Sequence, residues 1–222
     1  MNIFNINGNN LLLINNLIII NNKLIINELL TKNLDTAILY KHIEKNIFSI
    51  SILEKDNSTS LMCGNGCIAM GLYFMQKFTD IVLINELKQK VYVKISDNKI
   101  IFNLNITHKE KNLFIISGEP HKIYFQKNYD LNEHLKLGKQ NIPNCNTTIL
   151  YKLNDKYYYS TFERGVNKIT NACGTGSFAS IYYINEIIKD KISIIYTKND
   201  KEYLFNKINK NFFLITNIKN LN

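Results

Sequence analysis

The chain has 222 residues, 45% of them hydrophobic, and carries a net charge of +9 from 27 basic and 18 acidic side chains. That length and apolar content suffice for one large core or two small ones. The lysines are scattered among acids without a run of five, which argues against the clustered basic face of a nucleic-acid binder.

In chain order, short β-branched and aromatic runs punctuated by Asn, Lys and Asp predict strands. They fall at Leu11–Ile14, Ile47–Leu53, Ile81–Ile84, Lys90–Ile95, Lys99–Ile106, Leu113–Ser117, Lys122–Phe125, Thr148–Leu153, Lys156–Phe162, Ile192–Tyr196, Lys201–Phe205 and Phe212–Ile215. Helices are expected over Asn27–Lys32, Gly66–Lys77, Asp130–Leu135 and Gly176–Lys189. The second and fourth are apolar nearly all round, the mark of a buried helix. The fold class expected is α+β, with two pseudo-symmetric halves of residues 1–110 and 111–222. Each half is a central helix wrapped by a mixed, mostly antiparallel sheet, with the active site in the cleft between them. The boundary is placed in the polar stretch Thr107–Asn112, and the last strand is free to return to the first half.

The apolar runs Leu11–Ile14 and Leu17–Ile20 are broken by an Asn pair. They fall far short of the roughly 18 residues that span a bilayer, and no basic-then-apolar leader precedes them. Four cysteines at positions 63, 67, 145 and 173 do not form a disulfide framework in a chain this long. A reduced, cytoplasmic protein with no membrane partner is expected.

Composition also isolates the chemistry. Asn, Ile and Lys dominate, as in the translation of an A/T-rich genome, so the exceptions stand out. Arg164 is the single arginine, and four of the nine glycines (64, 66, 174, 176) lie in two copies of Cys-Gly-x-Gly. The copies, Cys63-Gly64-Asn65-Gly66 and Cys173-Gly174-Thr175-Gly176, start 110 residues apart, half the chain length. Each immediately precedes a buried helix. A helix N-terminus offers unpaired N–H groups and partial positive charge, which bind a carboxylate and ionise a thiol. Two such sulfurs, one on each face of an α-carbon, can invert it: one removes the proton and the other returns it. The plainer reading of either motif alone is a glycine turn beside an inert, buried cysteine. A zinc site at Cys63-x3-Cys67 lacks a second ligand pair, so no metal is expected.

The motifs resemble the diaminopimelate epimerase family. Leu61-Met-Cys-Gly-Asn-Gly66 is similar to its first-half signature, and Thr161-Phe-Glu-Arg-Gly-Val with Asn171-Ala-Cys-Gly-Thr-Gly-Ser-Phe-Ala to its second. Gly118-Glu-Pro-His121 resembles the family's Gly-Asn-Pro-His, Asn7-Gly-Asn-Asn10 its Gly-Asn-Asp, and Pro143-Asn-Cys-Asn146 loosely its Pro-x-Gly-Thr-Asn. The resemblance implies epimerisation of LL-2,6-diaminopimelate to the meso form, a step of lysine biosynthesis, with no cofactor. Cys63 and Cys173 would be base and acid. His121 and Glu163 would set the thiol protonation states, Glu163 also facing the substrate ammonium. Gly64, Asn65, Gly174 and Thr175 would hold the α-carboxylate, and Arg164 the distal one, its planar fork being unlike a lysine. Asn9 and Asn146 would add polar contacts. The partner implied is a small amino acid, and the assembly a homodimer.

The pattern departs from the family at three places. Glu119 stands where the family has Asn, Glu54 falls on or near another substrate-contacting Asn, and Leu34-Asp35-Thr36 is all that remains of a Gly-Ile-Gly-x-Asp-Gln stretch. Ionised Glu only accepts hydrogen bonds where Asn also donates. Two acids near the distal end leave open a racemase of a basic amino acid such as histidine, lysine or ornithine. A relative that binds its ligand without turnover is a further alternative.

Overall fold

The computed structural model describes residues 1–15, 21–96, 98–110, 112–209 and 211–218. The run Leu17–Ile20 lies outside the described residues, as does Lys111 of the expected boundary. The chain divides into two compact units, one of Met1–Asn103 with Thr216–Asn222 and one of Leu104–Ile215. Both are mixed α+β. Among the described residues no helix is long and apolar enough to cross a membrane.

The first unit runs β1 (Asn2–Ile6), β2 (Asn9–Asn15), α1 (Asn22–Thr31), β3 (Thr36–Glu44), β4 (Ile47–Glu54), β5 (Thr59–Ser60), α2 (Gly64–Phe74), β6 (Asp80–Ile84), β7 (Lys90–Ser96) and β8 (Lys99–Phe102). β1 and β2 pair antiparallel, β2 and β3 parallel, β3 and β4 antiparallel, β4 and β6 parallel, and β6, β7 and β8 successively antiparallel. Asn21 caps α1 by accepting from the Lys23 N–H. That helix buries Ile25 and Leu29, one turn apart, against Leu12, Ile14, Ala37, Leu39 and Leu53. Each such side chain contributes about 1.5–3 kcal/mol when fully buried.

The second unit runs β9 (Ile106–Glu110), β10 (Leu113–Ile116), β11 (Glu119–Gln126), α3 (Leu131–Asn141), β12 (Asn146–Leu153), β13 (Lys156–Glu163), β14 (Lys168–Ile169), α4 (Gly174–Tyr182), β15 (Ile194–Thr197), β16 (Glu202–Ile208) and β17 (Asn211–Asn217), whose last residues fall in the first unit. From β10 onward its pairings follow the same succession. They are β10/β11 antiparallel, β11/β12 parallel, β12/β13 antiparallel, β13/β15 parallel, then β15, β16 and β17 antiparallel. Asp130 caps α3 through the Glu133 N–H, and the helix buries His134 and Gly138 on one face. A Cβ at Gly138 would lie 2.3 Å from the Phe162 ring, so only glycine permits this packing.

Several elements differ from expectation. β3 is a nine-residue strand that no run had marked, and β1, β5, β9 and β14 are likewise additional. The expected strand Lys99–Ile106 ends at Phe102, and the chain enters its second unit before β9 begins. The helix expected through Lys189 is α-helical only to Tyr182 and continues as a π-helical turn over Tyr183–Ile188. There the Asn185 amide donates to the carbonyls of both Ile181 and Ile192, at 3.0 and 3.1 Å, and Lys189 closes the turn with φ 71°.

Candidate active site

Both Cys-Gly-x-Gly motifs form helix N-termini, and the cysteine itself is the cap. Cys63 (φ −124°, ψ 115°) and Cys173 (φ −125°, ψ 110°) share one extended conformation. Each sulfur accepts the N–H of the third residue on, Gly66 or Gly176, at 3.3 Å. A sulfur in the place of a capping oxygen takes a donor that the helix cannot satisfy, and that donor together with the helix dipole favours a thiolate. The glycines are required by close approach. A Cβ at Gly176 would stand 2.5 Å from Thr161 Oγ1, and one at Gly66 2.5 Å from Ile38 Cδ1. Cys63 is half-buried and Cys173 is buried.

In the first unit, Gly64 and Asn65 open α2 and are buried. Asn9 enters β2 directly after the left-handed turn Asn7-Gly8 (φ 54° and 84°), a pair that fits a tight hairpin. Its side chain is buried, and its Oδ1 has no partner among the described residues. Glu54 is also buried. It accepts from Thr36 Oγ1 at 2.8 Å and Ser60 Oγ at 2.6 Å, so the remnant Leu34-Asp35-Thr36 leads into a strand that serves this carboxylate.

The second unit links Glu119, Arg164, Asn146, His121, Thr175 and Cys173 through a chain of hydrogen bonds. The left-handed pair Ser117-Gly118 (φ 49° and 96°) turns β10 into β11 and sends Glu119 and His121, two apart, to the buried side of the strand. β12 lies parallel to β11 with Asn146 opposite His121, and Arg164 follows directly on β13. The Arg164 backbone N–H must meet an acceptor, and Asn146 Oδ1 supplies it at 2.9 Å. That fixes the Asn146 amide, so its Nδ2 donates toward His121 Nε2 at 3.3 Å. Nε2 is therefore the unprotonated ring nitrogen, and the Nδ1 proton points to Thr148 Oγ1 at 3.4 Å.

Thr175 joins this ring to the sulfur. Its Oγ1 lies 2.9 Å from His121 Nε2 and 3.4 Å from Cys173 Sγ. With Nε2 accepting, the Thr175 hydroxyl donates to it and turns a lone pair toward the thiol. Burial pushes the His121 pKa down to about 3, with the Arg164 charge adding to the effect, so the imidazole is neutral at working pH. Thr148 Oγ1 continues the network to Thr161 Oγ1 at 3.0 Å, and the buried Tyr159 hydroxyl donates to the Cys173 carbonyl at 3.1 Å.

Glu163 and Arg164 point to separate partners. Glu163 accepts from the Thr170 hydroxyl. Arg164 Nη2 donates to Glu119 Oε2 at 2.9 Å, with the arginine side chain 26% and the glutamate 4% exposed. Sequence singles out Glu119 as an acid in place of an amide but does not show its ion pair with Arg164, and it gives no signal for the contacts of Thr148, Tyr159 and Thr161. Cys67 and Cys145 stand apart from these contacts. Burial drives the Cys67 thiol to about 12 and raises that of Cys145, which keeps both protonated.

No family model matches the chain. The diaminopimelate epimerase of Thermotoga maritima is 26% identical over 192 residues, covering 78% of this chain and 79% of that protein. The enzyme of the same name from Campylobacter jejuni (serotype O:6) is 26% identical over 191 residues, 79% of this chain and 76% of its own. Among solved structures, a predicted epimerase from Pseudomonas aeruginosa shares the fold over 95% of this chain and 90% of its own, with a TM-score of 0.66 at 9% identity. By these likenesses the chain resembles the diaminopimelate epimerase family, and it is an isomerase.

Proposed function

We propose that the chain epimerises LL-2,6-diaminopimelate to the meso form with Cys63 and Cys173 as the acid–base pair. The observation that carries this reading is the pair of cysteine-capped helix starts with matching backbone angles and matching N–H···S contacts. In the proposed mechanism the substrate α-carbon has one sulfur on each face. One thiolate takes the α-proton, so that an S–H bond forms as the C–H bond breaks. The electron pair passes into the α-carboxylate, where the N–H groups of Gly64, Asn65, Gly174 and Thr175 offset the charge that develops. The other thiol then protonates the opposite face and becomes the thiolate, ready for the reverse direction. Glu163 receives the substrate ammonium, Arg164 the distal carboxylate, and His121 acts through Thr175 on Cys173.

Incubation with LL-diaminopimelate and separation of the stereoisomers by chiral chromatography tests the proposal. Accumulation of the meso isomer to a near-statistical mixture is the expected result. A substrate pool that stays LL under reducing conditions would remove diaminopimelate from the account.

The Glu119–Arg164 ion pair favours a second reading, a racemase of a basic amino acid on the same two thiols. Exchange of the α-hydrogen of lysine, ornithine or histidine, without exchange into diaminopimelate, would select it.

A further inference from the structure

We infer that Glu119 is a specificity-determining residue, one that offsets the charge of Arg164 and so weakens selection for a substrate with a second carboxylate. The inference rests on the epimerase reading of the site and concerns which amino acid the site prefers.

Arg164 is the single arginine of the chain, and its position is over-determined. Asn146 holds its backbone N–H, and Glu119 holds Nη2 at 2.9 Å. Its Nε is buried with no partner among the described residues, so the guanidinium still has a donor to offer a ligand. The positive charge, however, is already matched. Glu119 is almost fully buried, and breaking a buried ion pair is costly, so the pair resists being opened. A dicarboxylic substrate must then place a second anion on one cation, which costs affinity through repulsion at close range. A substrate lacking that carboxylate meets a neutral pair and a free N–H. Glu119 lies two residues from His121 on the same face of β11, so its charge belongs to the wall of the site itself.

Diaminopimelate and lysine differ by one carboxylate, which makes them a matched pair of probes. Calorimetric titration of the wild-type protein, Glu119→Gln and Glu119→Asn with LL-diaminopimelate and L-lysine reads the effect directly. Removing the buried negative charge is expected to tighten diaminopimelate about tenfold, the usual scale for a charged hydrogen-bonding partner, while lysine gains nothing. Gln keeps the shape of Glu, and thermal melting of both variants confirms that either one is folded. An unchanged ratio of the two affinities in a folded variant overturns the inference. If the wild type binds but exchanges no α-deuterium while the ratio shifts as expected, the epimerase reading falls and the role of Glu119 stands. If none of the three proteins binds either probe, both fall.

Discussion

The hydroxyl of Thr175 bridges the Cys173 sulfur and the unprotonated nitrogen of His121, at 3.4 and 2.9 Å. A neutral, fully buried imidazole is thereby tied to a thiol that it does not touch. Thr175 is thus a positioning residue for that thiol. Replacement by Val keeps the volume but removes the bridge and leaves one His121 acceptor site served by Asn146 alone. Turnover in Thr175→Val is expected to fall by about tenfold or more, with its pH profile displaced, while Thr175→Ser restores most of the rate. Equal rates and identical pH profiles for Val, Ser and wild type would remove the bridge from the mechanism.

The same burial sets a pH dependence of stability. The folded His121 pKa of about 3 lies below the ordinary value of 6.5, so the unfolded chain binds the proton first. The stabilisation is complete above about pH 6.5 and is lost as the pH falls toward 3. His134, buried under α3, is depressed to about 4 by burial and adds a loss of the same sign. Between pH 7 and pH 5, urea denaturation of His121→Gln should therefore lose about 2 kcal/mol less than the wild type. Parallel losses in the two proteins would mean that His121 is protonated in the folded state.

The two motif glycines differ in what a methyl group would strike. Each would meet its own motif cysteine, at 3.2 and 3.3 Å, but at Gly66 the nearest atom is the Cδ1 end of the Ile38 side chain, whereas at Gly176 it is Thr161 Oγ1, which is already bonded to Thr148. Gly176→Ala is expected to cost more activity and a larger drop in melting temperature than Gly66→Ala, by roughly 1–3 kcal/mol of overpacking. Equal effects in a paired thermal and kinetic comparison would contradict this.

Thiol reactivity should follow position. Cys63 is half-buried at a helix start, while Cys67 is fully buried with its thiol pushed to about 12. Limited alkylation at pH 7.5, mapped by mass spectrometry, is expected to label Cys63 first and to leave Cys67 untouched until the chain unfolds. Labelling of Cys67 at a comparable rate in the folded protein would show that α2 is not packed as described.

Much of this architecture can be read from residue pattern. The repeated Cys-Gly-x-Gly located both buried helices, though two residues late, because the cysteine and not a later residue is the cap. β3 escaped because Thr36–Tyr40 is continuously buried and Lys41–Glu44 exposed, so no alternation marks it. The π-helical turn after Tyr182 depends on the two hydrogen bonds of Asn185, one of them to Ile192 beyond the turn. In the site, the network through Thr148 and Thr161 depends on the register of β12 against β13, which residue types alone do not carry. The Glu119–Arg164 pair spans 45 positions in sequence and follows from the β11–β12–β13 pairing.

The most direct test of the two-thiol account is deuterium uptake at the substrate α-carbon, followed by NMR in D2O under reducing conditions. Wild type, Cys63→Ala and Cys173→Ala would be assayed with LL-diaminopimelate and L-lysine. The account predicts exchange by the wild type into at least one of them and loss of epimerisation in each single variant. Undiminished epimerisation after removal of either sulfur, or no exchange by the wild type into either substrate, would contradict it.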